Sequence, residues 1–411
     1  MDFKNDTPMN SIKITQWIFL LMMLPTLAWA QKKERQMEDS TDYRTLIPEE
    51  KQGMLKNISM IANMNFAFRN EFVDGEYVQS RFRNEQFRLE IRGQVHEKVY
   101  FRFRDRYTRA QTSESVDNIS RSVDLAYIRV DLTNKWSISL GKMCADWGAW
   151  EFDWNPIDIY EYSDIVEYAD NFLTGVGFTY TPSTKNQWTF QVLDSRTKTF
   201  EELYGQQPNF TESKAPLAFV ANWRGSLLDG KIKTIWSYSL FNEAQDMSGN
   251  GANMNYIALG NEFNFNKFRF IYDFKWSDEE LDRTGVVSET IPNDLYDYSV
   301  GNTLYIGHWV NLRYMVSPKV HLTFVGMLDI ANWKNSFNDP ENATGEEHIR
   351  NAWGFIPAVE VYPWDDLNLK FFANWVGRSY DYSDYAQERF GASNYSTGRF
   401  TVGFISPLGI F

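Results

Sequence analysis

Hydrophobic and polar residues alternate with a period of two along Phe87–Tyr107. Phe87, Leu89, Ile91, Gly93 and Val95 interleave with Arg88, Glu90, Arg92 and Gln94. After the polar turn His96-Glu97-Lys98, Val99, Phe101 and Phe103 interleave with Tyr100, Arg102, Arg104 and Arg106. Successive side chains of a strand point to opposite faces, so this pattern predicts a hairpin with one apolar and one charged face. Two arrangements satisfy it. A soluble sheet turns the charged face to water outside. A transmembrane barrel inverts the order, with apolar residues toward lipid and charges toward a wet interior.

The same alternation recurs to the end of the chain. Strands are predicted at 57–69, 81–95, 99–110, 119–133, 136–143, 173–181, 187–194 and 215–223. Others follow at 231–241, 255–264, 268–277, 299–316, 320–329, 349–362, 367–380 and 395–405, about sixteen in all. Phe268, Phe270, Tyr272, Phe274 and Trp276 oppose Arg269, Asp273 and Lys275. Leu369, Phe371, Ala373 and Trp375 oppose Asn368, Lys370, Asn374 and Arg378. Short connections at 96–98, 134–135, 182–186, 224–230, 264–267, 317–319 and 363–366 alternate with long ones. The long ones are 70–80, 111–118, 144–172, 195–214, 242–254, 278–298, 330–348 and 381–394. Short turns on one rim and long loops on the other mark an all-β transmembrane antiparallel barrel of about 16 strands with a long third extracellular loop. A soluble β-sandwich with Greek-key connections shows no such two-sidedness. Phe411 ends the chain, and Pro407 interrupts the last alternation, as a strand end or bulge would.

Composition fits the inverted arrangement. Aromatics make up 17% of the chain, with 15 Trp and 22 Tyr, an excess that suits belts at the membrane–water interface. Mean hydropathy is −0.46, as expected when lumen residues offset lipid-facing ones. Lys13 precedes an apolar run from Trp17 to Leu24, then Pro25 and Ala28-Trp29-Ala30. That order predicts a signal peptide over 1–30, with Met9 as an alternative start, and a mature protein starting near Gln31. Residues 31–56 are polar and are expected in the periplasm, and 57–411 form the barrel. No later apolar run is long enough to span as a helix.

Other chemistries find little support. A net charge of −13 argues against general nucleic-acid binding. Cys144 stands alone, and His96, His308, His321 and His348 form no paired motif, so no disulfide, metal site or cofactor is expected. No Ser-His-Asp order or nucleotide motif points to an enzyme. The acidic runs Asp278-Glu279-Glu280 and Glu346-Glu347 read as solvated loop charge, with Ca²⁺ bridging to lipopolysaccharide as a weaker alternative.

Two groups carry candidate function. Arg81, Arg83, Arg88, Arg92, Arg102, Arg104 and Arg106 would each cost about 2–4 kcal/mol on the lipid face, so they are expected to line the lumen. There they offer successive anion sites. The competing reading is a structural network with Glu85, Glu90, Asp105 and other lumen carboxylates. The second group is the loop 144–172, with Trp147, Trp150, Glu151, Asp153, Trp154, Tyr160 and Tyr162. An exposed loop so aromatic would be a liability, so it is expected to fold inward and narrow the pore, where its rings could stack on sugars. The competing reading is an external plug or subunit contact.

Phe87–Gly93, Val123–Ile128, Leu140–Met143 leading into Trp147-Gly148, and Phe172–Tyr180 carry a resemblance to the phosphate-selective porin O/P family as it occurs in Bacteroides-like bacteria. The resemblance implies a sixteen-stranded outer-membrane porin, commonly trimeric, with the third loop folded inward and anions passing along a basic lumen ladder. The chain is accordingly read as a porin for small hydrophilic solutes in the Gram-negative outer membrane, leaning toward anions. A carbohydrate-binding or carbohydrate-exporting barrel and a secreted soluble β-rich binding protein are the alternatives.

Overall fold

The structure is a computed structural model that describes residues 45–47, 57–112, 116–334 and 346–411. The expected signal peptide lies outside these residues, as does the expected periplasmic segment apart from 45–47. The backbone of Leu46 and Ile47 bonds to Gly409 and Ile410 beside the final strand.

Sixteen strands close a barrel in which every neighbour in sequence is a neighbour in space. They are β1 (Ile58–Val73), β2 (Glu76–His96), β3 (Val99–Arg106), β4 (Val123–Asp131), β5 (Trp136–Cys144), β6 (Phe172–Ser183), β7 (Asn186–Asp194) and β8 (Phe210–Leu227). The circuit continues with β9 (Ile232–Asp246), β10 (Gly251–Phe265), β11 (Phe268–Leu281), β12 (Gly301–Ser317), β13 (Val320–Lys334), β14 (Glu346–Val361), β15 (Lys370–Tyr382) and β16 (Tyr395–Gly409). β16 pairs antiparallel with β1 from Ile61↔Gly409 to Val73↔Thr397 and so leaves no open edge at the seam. This closed antiparallel meander excludes the soluble sandwich.

Burial alternates in the inverted sense. On β12, Thr303, Tyr305, Trp309, Asn311 and Arg313 are buried, whereas Leu304, Ile306, Val310 and Leu312 are only partly buried. Outward rings such as Phe324, Trp353, Phe355 and Phe371 are exposed, while Asp273, Lys275, Glu360 and Arg378 are buried inside. Only a bilayer rewards that arrangement, and a barrel satisfies the backbone within it.

Several connections differ from the sequence reading. No long loop lies at 70–80. β1 and β2 extend to the two-residue turn Asp74-Gly75, whose φ values of +50° and +83° suit a type I′ hairpin. The 242–254 connection likewise contracts to 247–250. Asp278-Glu279-Glu280 belongs to β11, not to a loop, and Glu279 is fully buried. Its carboxylate accepts from Ser277 Oγ, Thr284 Oγ1 and the backbone N–H groups of Arg283 and Thr284 at 2.6–2.8 Å. The solvated reading fails there because parity turns position 279 inward, where four donors replace water. The first residues of the other acidic run, Glu346-Glu347, open β14, and 335–345 lie outside the described residues. Pro407 does not end β16. It pairs with Asn63 beyond the last β15 contact, Lys370↔Ile405, where the strand has one neighbour and a missing N–H is tolerated.

Strand parity makes a direct prediction. Val310→Arg places a guanidinium on the outer face of β12 and should cost about 2–4 kcal/mol if it reaches mid-membrane. Denaturant unfolding of the detergent- or lipid-folded barrel measures it, and the inward Asn311→Arg serves as the comparison for a charge kept off lipid.

Candidate functional site

The loop between β5 and β6 carries most of the polar chemistry inside the barrel. It begins at Ala145, forms short helical turns at Trp150–Asp153, Pro156–Asp158 and Asp164–Glu167, and returns at Asn171. Its course along the inner wall follows from a series of partners. Gln191 on β7 accepts from Asp146 N at 2.7 Å, and Asn222 on β8 donates to Asp146 O at 2.9 Å. Arg224 on β8 pairs with Asp153 at 2.7 Å. Trp147 is buried against Tyr256 of β10, with ring centroids 4.8 Å apart. A Cβ on Gly260 would sit 2.8 Å from both Ala149 Cβ and Trp150 Cδ1, so this position needs glycine for the loop to approach.

The centre of the loop is held by buried charge. Glu151 is fully buried and accepts from Ser163 N and Oγ at 2.6 and 2.7 Å. It also pairs with Lys275 of β11. Its own N–H donates to Asp273 at 2.7 Å. Beyond it, Trp154 packs edge-on against Trp309 of β12 at 5.7 Å, beneath the Arg269 guanidinium. Asp158 pairs with Lys370 at 2.8 Å, and Tyr160 OH donates to Glu360 at 2.9 Å. Glu161 pairs with Arg399 at 2.9 Å, and Asp164 pairs with Arg378 at 2.9 Å and with Arg350. Asn155 donates to Asn63 of β1 at 3.0 Å, and Asn65 donates to Ile157 O at 3.1 Å. The loop thus contacts the wall from β7 round to β1.

The wall from β2 to β5 is left more open. Arg92, Arg102, Tyr100, Tyr127, Arg129, Ser137 and Ser139 stay partly accessible there. All five arginines singled out on the hairpin turn inward, and two carboxylates gather them. Glu90 accepts from Arg102 Nε at 3.0 Å, and Asp124 of β4 from Arg106 Nη2 at 2.6 Å. Arg88 and Arg104 lie 3.4 and 3.3 Å from Asp124, and Arg92 lies 3.6 Å from Glu90. Arg81 and Arg83 stand higher on β2 and are exposed, away from this cluster. Glu85 pairs with Arg69 rather than with the cluster. Five guanidiniums thus gather round two carboxylates, Glu90 and Asp124.

Loop and basic face sense each other. Burial pushes the Glu167 carboxyl above its ordinary range, Glu161 and Glu151 add to the rise, and Arg106 opposes it. The Tyr162 hydroxyl is raised by burial, with Arg88 pulling it down. The loop rings do not form an open stacking platform, since Trp147 is buried and Trp150, Trp154 and Tyr160 pack on the wall. Parity placed Lys275, Lys370 and Arg378 inside but could not name their loop partners. Asp124 was missed as a partner because a register shift between Arg104 and Asp105, not simple alternation, brings it to the cluster.

The family model for phosphate-selective porin O and P matches residues 61–404. The chain belongs to the phosphate-selective porin O and P family. It is therefore an outer-membrane porin, and the family and fold are those of a channel. Solved structures share the fold at low identity. The outer membrane channel DcaP of Acinetobacter baumannii matches with a TM-score of 0.57 and 10% identity over 84% of this chain and 96% of that one. An anion-selective porin from Comamonas acidovorans matches with 0.54 and 10% over 85% and 98%. OmpT of Vibrio cholerae, solved in a trimer form, matches with 0.51 and 9% over 85% and 98%. No curated protein matches the chain.

The buried strut of this porin is testable. Glu151→Gln leaves Lys275 charged in a fully buried site without its carboxylate, and breaking such a pair costs about 3–5 kcal/mol. The loss should appear first as release of the loop. Limited proteolysis should cut between 145 and 171 in the variant and not in the wild type, and the double variant Glu151→Gln/Lys275→Met should recover part of the protection.

Proposed function

We propose that this porin passes small hydrophilic solutes with a preference for anions, set by the basic face of β2 and β3. The observation that carries the reading is the cluster of five guanidiniums round Glu90 and Asp124 on the inner wall that the loop leaves more open. In a confined lumen field lines focus, so a few local cations outweigh a negative total charge. The loop 145–171 is the element that narrows the path. It lines the opposite side of the barrel and brings Glu167 and Tyr162 toward the basic face. Phosphate falls within the solutes such a face admits, since guanidiniums match its oxygens in pairs.

The assembly that goes with this reading is a homotrimer seated on the β2–β5 wall. β3, β4 and β5 are short, and above Phe87 the edge of β2 has no strand beside it among the described residues. Exposed Tyr77 and Phe82 stand on that edge, and the neighbouring OmpT is described in a trimer form. A second copy would cover the backbone groups that lipid cannot satisfy. Tyr77→Lys/Phe82→Lys should convert a heat-labile trimer band on a denaturing gel to folded monomer; an unchanged trimer band places the contact elsewhere.

Selectivity is tested at the partly accessible arginines. Replacing Arg92, Arg102 and Arg106 with Gln keeps length and polarity and removes three charges. The folded variant should shift its reversal potential toward cations in a salt gradient. A reversal potential equal to that of the wild type would reduce the arginines to a structural network.

A further inference from the structure

The inner positions of the β2–β3 hairpin are not uniformly basic. In register, Arg88 faces Arg106, Glu90 faces Arg104, and Arg92 faces Arg102. Glu90 therefore occupies the centre of the arginine cluster, flanked by Arg88 and Arg92 on its own strand. Its Oε1 accepts from Arg102 and lies 3.6 Å from Arg92 Nη1, while its Oε2 lies 3.9 Å from Arg104 Nη1. Asp124 enters from β4 through the register shift and touches Arg88, Arg104 and Arg106. Arg104 contacts both carboxylates.

Burial sorts these groups into two rows. The Arg88 and Arg104 side chains are 2% and 9% exposed, and Glu90 and Asp124 are 5% and 0% exposed. Arg92, Arg106 and Arg102 rise to 13%, 20% and 29%. The back row thus holds two guanidiniums with the two carboxylates, and the front row holds the more accessible guanidiniums. Buried charges are screened little by salt, so the two back-row carboxylates act on the front-row guanidiniums beside them with little screening.

We infer that Glu90 and Asp124 are selectivity-determining positioning residues, which hold the face at partial neutralisation so that anions enter without being captured. This rests on the anion-leaning reading above. Conduction requires a site attractive enough to fill and weak enough to empty. A cluster of five guanidiniums without internal carboxylates would favour multivalent anions and slow their release. The two carboxylates also fix the guanidinium planes of the front row, because Arg102 and Arg106 each spend an N–H on them. The arginines attract the solute, and the acids beneath them set how long it stays.

The experiment uses the full-length porin in planar bilayers, with potassium chloride gradients and added inorganic phosphate. Glu90→Gln removes a charge with little change of shape, and Glu90→Asp keeps the charge with a change of reach. Glu90→Gln should move the reversal potential further toward anions than wild type and lower several-fold the phosphate concentration that half-blocks the chloride current. Glu90→Asp should stay near wild type on both. Asp124→Asn should act in the same direction, and if it fails to fold, Glu90→Gln alone decides. A folded Glu90→Gln with wild-type reversal potential and block overturns the inference, as does an equal shift in Glu90→Asp, which would mark the effect as geometric. The Arg92, Arg102 and Arg106 triple variant is run in parallel. If it shifts while Glu90→Gln does not, only this inference falls; if the triple variant does not shift, the anion-leaning reading falls with it.

Discussion

Strand parity under a lipid boundary is the constraint on which the rest of this structure depends. A backbone in lipid must satisfy its own hydrogen bonds, which closure from β1 to β16 achieves where neighbouring strands pair. Once closed, each strand has one face for lipid and one for the interior, and a single-residue slip would exchange them. Phe101 and Phe103 outward therefore oblige Arg102, Arg104 and Arg106 inward. The same rule drives Asp273, Lys275, Glu279, Glu360 and Arg378 into the barrel, where they are buried. The interior is charged because the exterior cannot be.

That inward charge creates the next problem, and the long loop resolves it. Lys370 and Arg378 have wall partners in Glu360 and Asp329, but Lys275, Arg350, Arg399 and Arg224 find ion-pair partners on the loop. The loop supplies Glu151, Asp153, Asp158, Glu161 and Asp164 to Lys275, Arg224, Lys370, Arg399 and Arg378. Buried pairs of this kind contribute modestly to net stability but are costly to break, so they fix the position of the loop more than they strengthen the barrel. One consequence is asymmetry: the basic face of β2 and β3 has its own two carboxylates and borders the more accessible inner wall.

Much of the fold was legible because alternation with period two survives even at the charged positions. The sequence supported about sixteen strands, their inward and outward faces, and a loop at 144–172 too aromatic to be left in water. It also contained a signal that went unused, since Asp74-Gly75 between alternating strands marks a tight hairpin rather than a loop at 70–80. Other features were not legible for physical reasons. Alternation assigns a face to Asp278-Glu279-Glu280 only if the strand is known to extend that far, and its clustered charge looked like a solvated loop. Asp124 reaches its arginines through a register shift, which leaves no periodic trace. The pairing of loop acids with wall cations joins residues up to 238 positions apart, as with Glu161 and Arg399, and no local pattern encodes such a contact.

The central claim is that local charge, not total charge, governs what this porin admits. The chain carries −13 overall, while the inner face of β2 and β3 gathers five guanidiniums round Glu90 and Asp124. The most direct measurement is the zero-current potential of the unmodified porin across a potassium chloride gradient at neutral pH. The account predicts the sign of an anion-selective pore, with the preference declining as ionic strength rises and the lumen field is screened. A cation-selective potential would contradict it and return control of permeation to the acidic remainder of the chain.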